Sequence, residues 1–256
     1  MNWWLLIPAI AADIGSYLSQ GARWSLLLRP LGRLSVLKAT QAVYAGLFVN
    51  EVLPLRTGEI LRGYLAMRWT SLPVAAIFSS MLIERFLDGV WIVLAIGGVM
   101  LTVPLPRYLV DAEEFLALAV FALAALLAFV LMRKRRAAPG APRPAHGLRA
   151  RLAHLVEHTG SALRLIGGAR SIYPAAALSA LLLALQAVSF WLVMEAYHLN
   201  LSLWHGTVVF LIVHFGTMVP GAPSNVGIYQ FFTVVGLSLF HVDKTLATGF
   251  SGHGFG

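Results

Sequence analysis

The sequence predicts an all-α fold: a polytopic membrane helix bundle that carries two opposed re-entrant, broken hairpins. Three observations predict it. The 256 residues are 59% hydrophobic with a mean hydropathy of +0.78, more apolar than a soluble domain of that size. Four apolar runs reach the roughly 20 residues needed to cross a hydrocarbon core of about 30 Å. Two further apolar regions are interrupted by proline and glycine in matching positions. No basic n-region or cleavage site accompanies the first run, so it does not read as a secretory signal. Cysteine is absent, which excludes disulfides and thiol chemistry. The formal charge of +8 gathers in a few loops, a pattern that membrane topology explains better than nucleic-acid binding does.

Residues 1–132 read as a first membrane half. Its first span runs from Trp3 to Ala22 and meets Arg23, Arg29, Arg33 and Lys38. A broken hairpin follows over 37–68, then spans over 73–104 and 115–132, the last preceded by Asp111, Glu113 and Glu114. Residues 133–171 form a basic linker with R-K-R-R from Arg133 and further arginines at 143, 149 and 151. The positive-inside rule places its 133–151 loop in the cytoplasm. Within the linker, Leu148 to Ile166 repeats apolar residues at helical spacing and reads as an interfacial helix on the anionic leaflet. His154 and His158 lie one turn apart there, but without a third ligand they read as a solvated face. Residues 172–256 form a second half, with a span from Ile172 to about Met194 and a broken hairpin over 203–240.

The two hairpins share a pattern. In each, proline precedes glycine by four residues: Pro54 and Gly58, then Pro223 and Gly227. Proline interrupts a helix and glycine lets the chain turn, so each break is expected at a hairpin tip. Arg29, Arg33, Lys38, Arg62 and Arg68 flank the first hairpin, whereas Lys244 is the one Lys or Arg after Glu195. That asymmetry puts the ends of the two hairpins on opposite sides of the membrane. Opposed broken helices meeting near the midplane form the inverted repeat of many transporters. Two pairs of short buried helices without a transport role are the plainer alternative.

Charge inside this apolar chain marks the candidate site. Four of the eleven carboxylates, Glu51, Glu59, Glu84 and Asp88, fall within 39 residues, among Arg56, Arg62, Arg68 and Arg85. A charge at the bilayer centre costs at least about 2.5–3.5 kcal/mol, so such groups have a partner or a task. Beyond Pro54, Arg56 sits at the expected tip and Gly58 opens a helix whose free N–H groups favour a phosphate or carboxylate. Arg56 could clamp a phosphate in bidentate fashion, with Glu59 neutralising it or meeting a cationic headgroup. An internal ion-pair network that only holds the hairpin together is the alternative. Glu84 and Asp88 share a helix face and repel unless a cation, a proton or an arginine intervenes. Arg85 is placed to pair with Asp88, leaving Glu84 for Arg56, Arg62 or substrate. Asp13, midway along the first span, is expected to face inward and to pair with an arginine. Glu195, His198 and His205 are expected to be wet, and His214 to be a satisfied core histidine.

N-E-V-L-P-L-R-T-G-E-I-L-R (Asn50 to Arg62), I-E-R-F-L-D (Ile83 to Asp88) and V-P-G-A-P-S-N-V-G-I-Y-Q (Val219 to Gln230) together resemble the transmembrane region of lysylphosphatidylglycerol synthases and the flippase-like proteins that share it. Arg23-Trp24 after the first span fits the same pattern. The resemblance implies a multi-pass protein of the bacterial inner membrane that moves, or helps to move, an amphiphile between leaflets. The candidate substrate contacts are Asn50, Arg56, Gly58, Glu59, Arg62, Glu84, Arg85 and Asp88, with Pro223, Asn225 and Gly227 of the second tip. The best-known cargo is aminoacylated phosphatidylglycerol. These residues hold nothing corresponding to the aminoacyl-transferase domain of full synthases, so lysinylation is not expected of them. Members usually begin with one more membrane helix and continue past the equivalent of Thr248, so a shortened chain is expected. Gln230 stands near a position that is usually glutamate.

Function classes then rank as follows. The leading one is a lipid flippase or translocator for an anionic or aminoacylated phospholipid, without its own ATPase, since no G-x-x-x-x-G-K occurs. The alternatives are a lipid-binding accessory subunit of a lipid- or glycan-synthesis complex, or a membrane-embedded lipid-modifying enzyme. No catalytic residue, metal ligand or cofactor is assigned, and the expected partner is membrane phospholipid, not nucleic acid.

Overall fold

The computed structural model describes residues 2–53, 57–132, 159–217, 225, 227–242 and 248–250. Among them every regular element is a helix. After a 3-10 turn at Trp3–Leu5 come α1 (Leu6–Leu28), α2 (Val36–Val52), α3 (Gly58–Thr70), α4 (Val74–Met100) and α5 (Arg107–Met132). Helical residues 159–167 make α6. Then follow α7 (Ile172–Ala196), α8 (Leu203–Gly216) and α9 (Ile228–Ser238). The expected breaks at Pro54, Arg56 and Pro223 lie outside the described residues. So do the 133–151 loop, His154, His158, Ser224 and Lys244.

Local chemistry sets the boundaries. Ser35 caps α2 by accepting the Lys38 N–H at 3.3 Å, and Ser202 caps α8 through His205 N–H at 3.3 Å. Each supplies an acceptor for an otherwise orphaned first-turn donor. Ser71 closes α3 in the left-handed region, with φ 57°. Pro73, which cannot continue a helix, then precedes α4.

Three spans differ from expectation. α1 does not stop at Ala22 but continues to Leu28, because Arg23, Trp24, Leu27 and Leu28 are all buried and Pro30 ends the helix. α4 ends at Met100, short of Pro104, and is about 40 Å long. α5 starts at Arg107, eight residues before the apolar run, so Asp111, Glu113 and Glu114 are helical. Leu109 buries in the core and anchors that extra length. The apolar run marks the stretch suited to lipid, not the extent of the helix.

Two helices, Arg107–Phe129 and Ile172–Ala196, are long and apolar enough to cross a membrane. α1 and α4 are comparable in length but carry ionisable side chains, of which Arg23 and Glu84 are fully buried. On α1 the residues Ile7, Ile10, Ile14 and Leu18 are exposed along one face, and on α5 Phe115, Leu118, Phe121, Leu126 and Phe129 are exposed. A helix outside that is apolar while charge sits inside matches hydrocarbon rather than water as the surroundings.

α1 and α7 form the most extensive interface, joined by Ser189 Oγ donating to the Ala9 carbonyl at 2.9 Å. α2 packs on α1 where a Cβ on Gly21 would meet Thr40 Oγ1 at 2.1 Å. α3 folds back on α2, and α9 folds back on α8, which rests on α7 and α4. A long helix followed by a pair of short packed ones thus occurs twice: α1 with α2 and α3, and α7 with α8 and α9.

α6 differs from the expected interfacial helix over its described part. Leu163 and Ile166 are buried against Leu27, Ile83, Leu127 and Ala175, so protein rather than lipid covers that face. Trp24 is fully buried, and its indole N–H donates to Ser80 Oγ at 3.0 Å. Ser80→Ala removes that acceptor with little change of volume. It is expected to cost about 1–3 kcal/mol, the penalty of an unsatisfied buried donor, measured by unfolding of the purified protein in detergent.

Candidate functional site: a buried ionic network beside an amphipathic cavity

Six charged side chains from α1, α3 and α4 join into one network. Glu84 of α4 is completely buried and held by two arginines: Arg23 Nη2 of α1 at 2.7 Å and Arg62 Nη2 of α3 at 2.6 Å. Gln20 Nε2 donates to the same carboxylate at 3.4 Å. Arg23 also reaches Asp88, one turn along α4, and donates to Ser179 Oγ of α7 at 2.8 Å. The cation that separates the two like carboxylates of α4 is therefore Arg23. Arg85 pairs with Glu59 of α3 at 2.7 Å and approaches Asp88 at 3.6 Å. Three arginines meet three carboxylates, so the network carries no net charge.

Exposure grades across it. The Glu84 and Arg23 side chains are 0% exposed and Arg62 is 4%, whereas Asp88, Glu59 and Arg85 reach 21%, 31% and 45%. Burying charge is costly unless paired in good geometry, which the inner three satisfy. Arg62 also stacks over the Trp24 ring, 3.9 Å from its centroid. The outer pair stands in partial contact with the surroundings and is expected to be weak. A double-mutant cycle of Glu59→Gln with Arg85→Gln should give a coupling of about 0.2–1 kcal/mol that declines with salt.

Beside the open end of the network lies a cavity of about 340 Å³ bounded by α1, α4, α5, α7 and α8. Arg23, Arg85 and Asp88 give it charge, and Gln20, Ser179 and Gln186 give it neutral polar groups. Leu116, Ala119, Val120 and Leu123 of α5 form an apolar wall. His214 of α8 and Thr217 just after it complete it, so His214 faces a cavity rather than a closed core. Two buried polar atoms of lining residues, Arg23 Nε and Gln186 Oε1, have no hydrogen-bond partner among the described residues.

The sequence-predicted residues divide. Glu59, Arg62, Glu84, Arg85 and Asp88 come together in the network, but only Arg85 and Asp88 line the cavity. Asn50 and Gly58 build the turn between α2 and α3. The Gly58 N–H, expected to be free for a phosphate, is taken by Asn50 Oδ1 at 2.8 Å. Gly58 is there for close approach, since a Cβ on it would lie 1.9 Å from the Gly46 carbonyl oxygen. Asn225 and Gly227 have φ of 51° and 87°. Gly227 N–H donates to Gln230 Oε1 at 2.6 Å, so Gln230 caps its own helix. Arg56 and Pro223 lie outside the described residues.

Two further expectations, at Asp13 and Glu195, are corrected. Asp13 has no ion-pair partner among the described residues. Arg23, ten residues or about 15 Å further along α1, is held by α4 instead, and the Asp13 charge acts on Tyr17 and Tyr44, whose rings are 5.6 Å apart. Glu195 is half-buried with its Oε1 enclosed rather than wet. His205 stacks on Phe240, with 4.4 Å between ring centroids. Among the described residues no group of three His, Asp or Glu is placed to hold a metal ion.

Arg23 is the central residue that sequence reasoning placed at a span end. The signal was present: W-S-L-L-L follows it, and an apolar run that resumes past an arginine argues that the helix does too. Gln20, Ser179 and Gln186 carried no such signal.

The family model described as Lysylphosphatidylglycerol synthase TM region matches residues 1–252. No curated protein and no solved structure matches the chain.

Proposed function

The chain belongs to the lysylphosphatidylglycerol synthase transmembrane-region family, a membrane domain linked to lipid handling; from that premise we propose that it moves a phospholipid, anionic or aminoacylated, or a related amphiphile between the leaflets of the bacterial inner membrane. The reaction is translocation, not chemical change. The observation that carries this reading is the cavity, where charged and polar groups of α1, α4 and α7 face an apolar wall on α5. A lipid presents that same division, a polar headgroup joined to acyl chains. Low-dielectric surroundings make the polar lining effective only for a ligand that brings its own charges and hydrogen-bonding groups.

The repeated arrangement of a long helix and a short pair supports an inverted repeat in this reading. α2–α3 and α8–α9 are then the two re-entrant hairpins, entering from opposite sides, and the 133–151 loop is cytoplasmic. Gly58 is the first residue of α3 and Gly227 caps the start of α9, so a glycine stands at the start of the second helix of each pair, as tips require.

Exchange of labelled phosphatidylglycerol and phosphatidylethanolamine between leaflets, followed in vesicles containing the purified protein, tests the reading. Exchange is expected to exceed that in protein-free vesicles. Leu182→Trp, which fills the cavity from α7 without touching the ionic network, should slow it while leaving unfolding unchanged. Exchange no faster than in protein-free vesicles, from folded protein, overturns the reading.

A further inference from the structure

We propose that Asp13 of α1 is a proton-binding site within the membrane, flanked by Tyr17 and Tyr44, and that taking up and releasing this proton governs the movement of cargo. The second half rests on the translocation reading; the proton site does not.

Depth comes first. Trp3 and Trp4 are exposed at the start of α1, where aromatic side chains suit the membrane–water interface. Asp13 lies ten residues beyond Trp3, about 15 Å at the helical rise, or about half of a hydrocarbon core. Ile10 and Ile14 near it are exposed, and Asp13 itself is half-buried. Its carboxyl therefore stands at the border between the apolar outer face of α1 and the packed α1–α2 face.

A carboxylate at that depth is costly without a counter-charge. Asp13 makes no ion pair among the described residues. Ser16 Oγ donates to the Asp13 backbone carbonyl at 2.7 Å, not to its carboxyl. None of the described elements packed on α1 brings it a cation. α1 itself offers Tyr17 and α2 offers Tyr44, and the Asp13 charge acts on both; Glu51 of α2 acts on Tyr17 as well. Lys38 lies two residues before the Thr40 that meets Gly21, toward the other end of α1. α7 has no titratable residue between Ser179, which meets Arg23, and Ser189, which meets the Ala9 carbonyl. The Trp3–Leu5 turn has none either. On α4, Glu84, Arg85 and Asp88 are engaged in the ionic network. A proton needs no further ligand, and it removes the charge that hydrocarbon penalises.

The site is joined to the cavity. Asp13, Tyr17 and Gln20 fall at i, i+4 and i+7 and so share one face of α1. Gln20 lines the cavity and donates to Glu84 at 3.4 Å. A polar stripe thus runs from Asp13 to the cavity along one helix, which also carries Arg23. When Asp13 takes a proton from water, a carboxyl oxygen gains an O–H bond and the α1–α2 face can lie against hydrocarbon. When that bond breaks and the proton returns to water, the same face needs polar surroundings. The two states place different demands on α1, and the proton biases the balance between them.

Infrared spectra of the purified full chain in detergent, recorded over a pH series, test the proton site without transport. Wild type is expected to show a protonated-carboxyl band that titrates reversibly. Asp13→Asn should lose that component, Asp13→Glu should restore one, and Tyr17→Phe should move its midpoint. Leaflet exchange of labelled phosphatidylglycerol in vesicles tests the second half. Its rate is expected to change several-fold over the pH range in which the band titrates, and to become independent of pH in Asp13→Asn. The same band in wild type and Asp13→Asn overturns the proton site, as does a rate that follows sodium and ignores pH. If Asp13→Asn does not fold, Asp13→Glu and Tyr17→Phe decide, and unmoved midpoints in both overturn it. A titrating band without any exchange supports the site and removes translocation. Exchange that ignores pH despite the band overturns the control of movement and leaves translocation standing.

Discussion

Replacing Arg23 with alanine is expected to destabilise the protein by about 3–5 kcal/mol, the cost of leaving a buried charge without its partner. Arg23 holds Glu84, Asp88 and Ser179 at once, so its loss leaves two carboxylates on one face of α4 with a gap between them. Arg62 still reaches Glu84, but nothing replaces the cation separating Glu84 from Asp88. Arg23→Lys is expected to recover only part of the loss, because a single ammonium cannot reproduce the planar fork that meets both carboxylates. Unfolding of the purified protein in detergent measures both variants. A double-mutant cycle with Glu84→Ala should show a coupling well above that of the exposed Glu59–Arg85 pair. A loss below about 1 kcal/mol for Arg23→Ala, the size of a surface pair, would contradict the buried network.

Gly58→Ala is expected to be as damaging for a different reason. The new Cβ would lie 1.9 Å from the Gly46 carbonyl oxygen and 2.7 Å from Asn50 Oδ1. The first obstacle is backbone and cannot rotate away, so α2 and α3 must separate. Overpacking typically costs about 1–3 kcal/mol and occasionally more. Here the separation also breaks the Asn50–Gly58 hydrogen bond and pulls Arg62, one turn along α3, away from Glu84. A loss of about 3 kcal/mol or more follows. Gly63→Ala is the control on the same helix. Its Cβ would meet Ile77 Cγ2 at 3.7 Å and Met81 Sδ at 3.8 Å, ordinary contacts, and removing a mid-helix glycine favours the helix by up to about 1 kcal/mol. Unfolding and limited proteolysis of both variants make the comparison. Equal tolerance at the two positions would mean that α2 and α3 do not approach closely at Gly46 and Gly58.

The membrane-bundle class, the elements and much of the charged site were legible in the sequence because each is signalled locally. Gly58 and Gly227 mark the starts of α3 and α9, and Glu84 and Asp88 announce themselves by their rarity in apolar surroundings. Span ends were less legible. Arg23 looked like a flanking cation because a single arginine after an apolar run is the ordinary sign of an interface. Its carboxylate partners lie 61 and 65 residues away, on another helix, and no local pattern carries that distance. Asn50 and Gly58 were legible as special but not in kind: a free helix start and a start capped by Asn50 have the same sequence.

By itself, then, the sequence determined the helical class, the order of long and short helices, the apolar character of their outer faces and which carboxylates had to be satisfied inside. Those follow from composition and spacing, which act over a few residues. Only the tertiary structure decided who satisfies them, that Arg23 stands between Glu84 and Asp88, and that α1, α4, α5, α7 and α8 leave a polar-and-apolar cavity beside them. Pairing and enclosure depend on which helix faces meet, and that is set by packing at contacts such as Gly21 on Thr40 and Gly46 on Gly58, between residues distant in the chain.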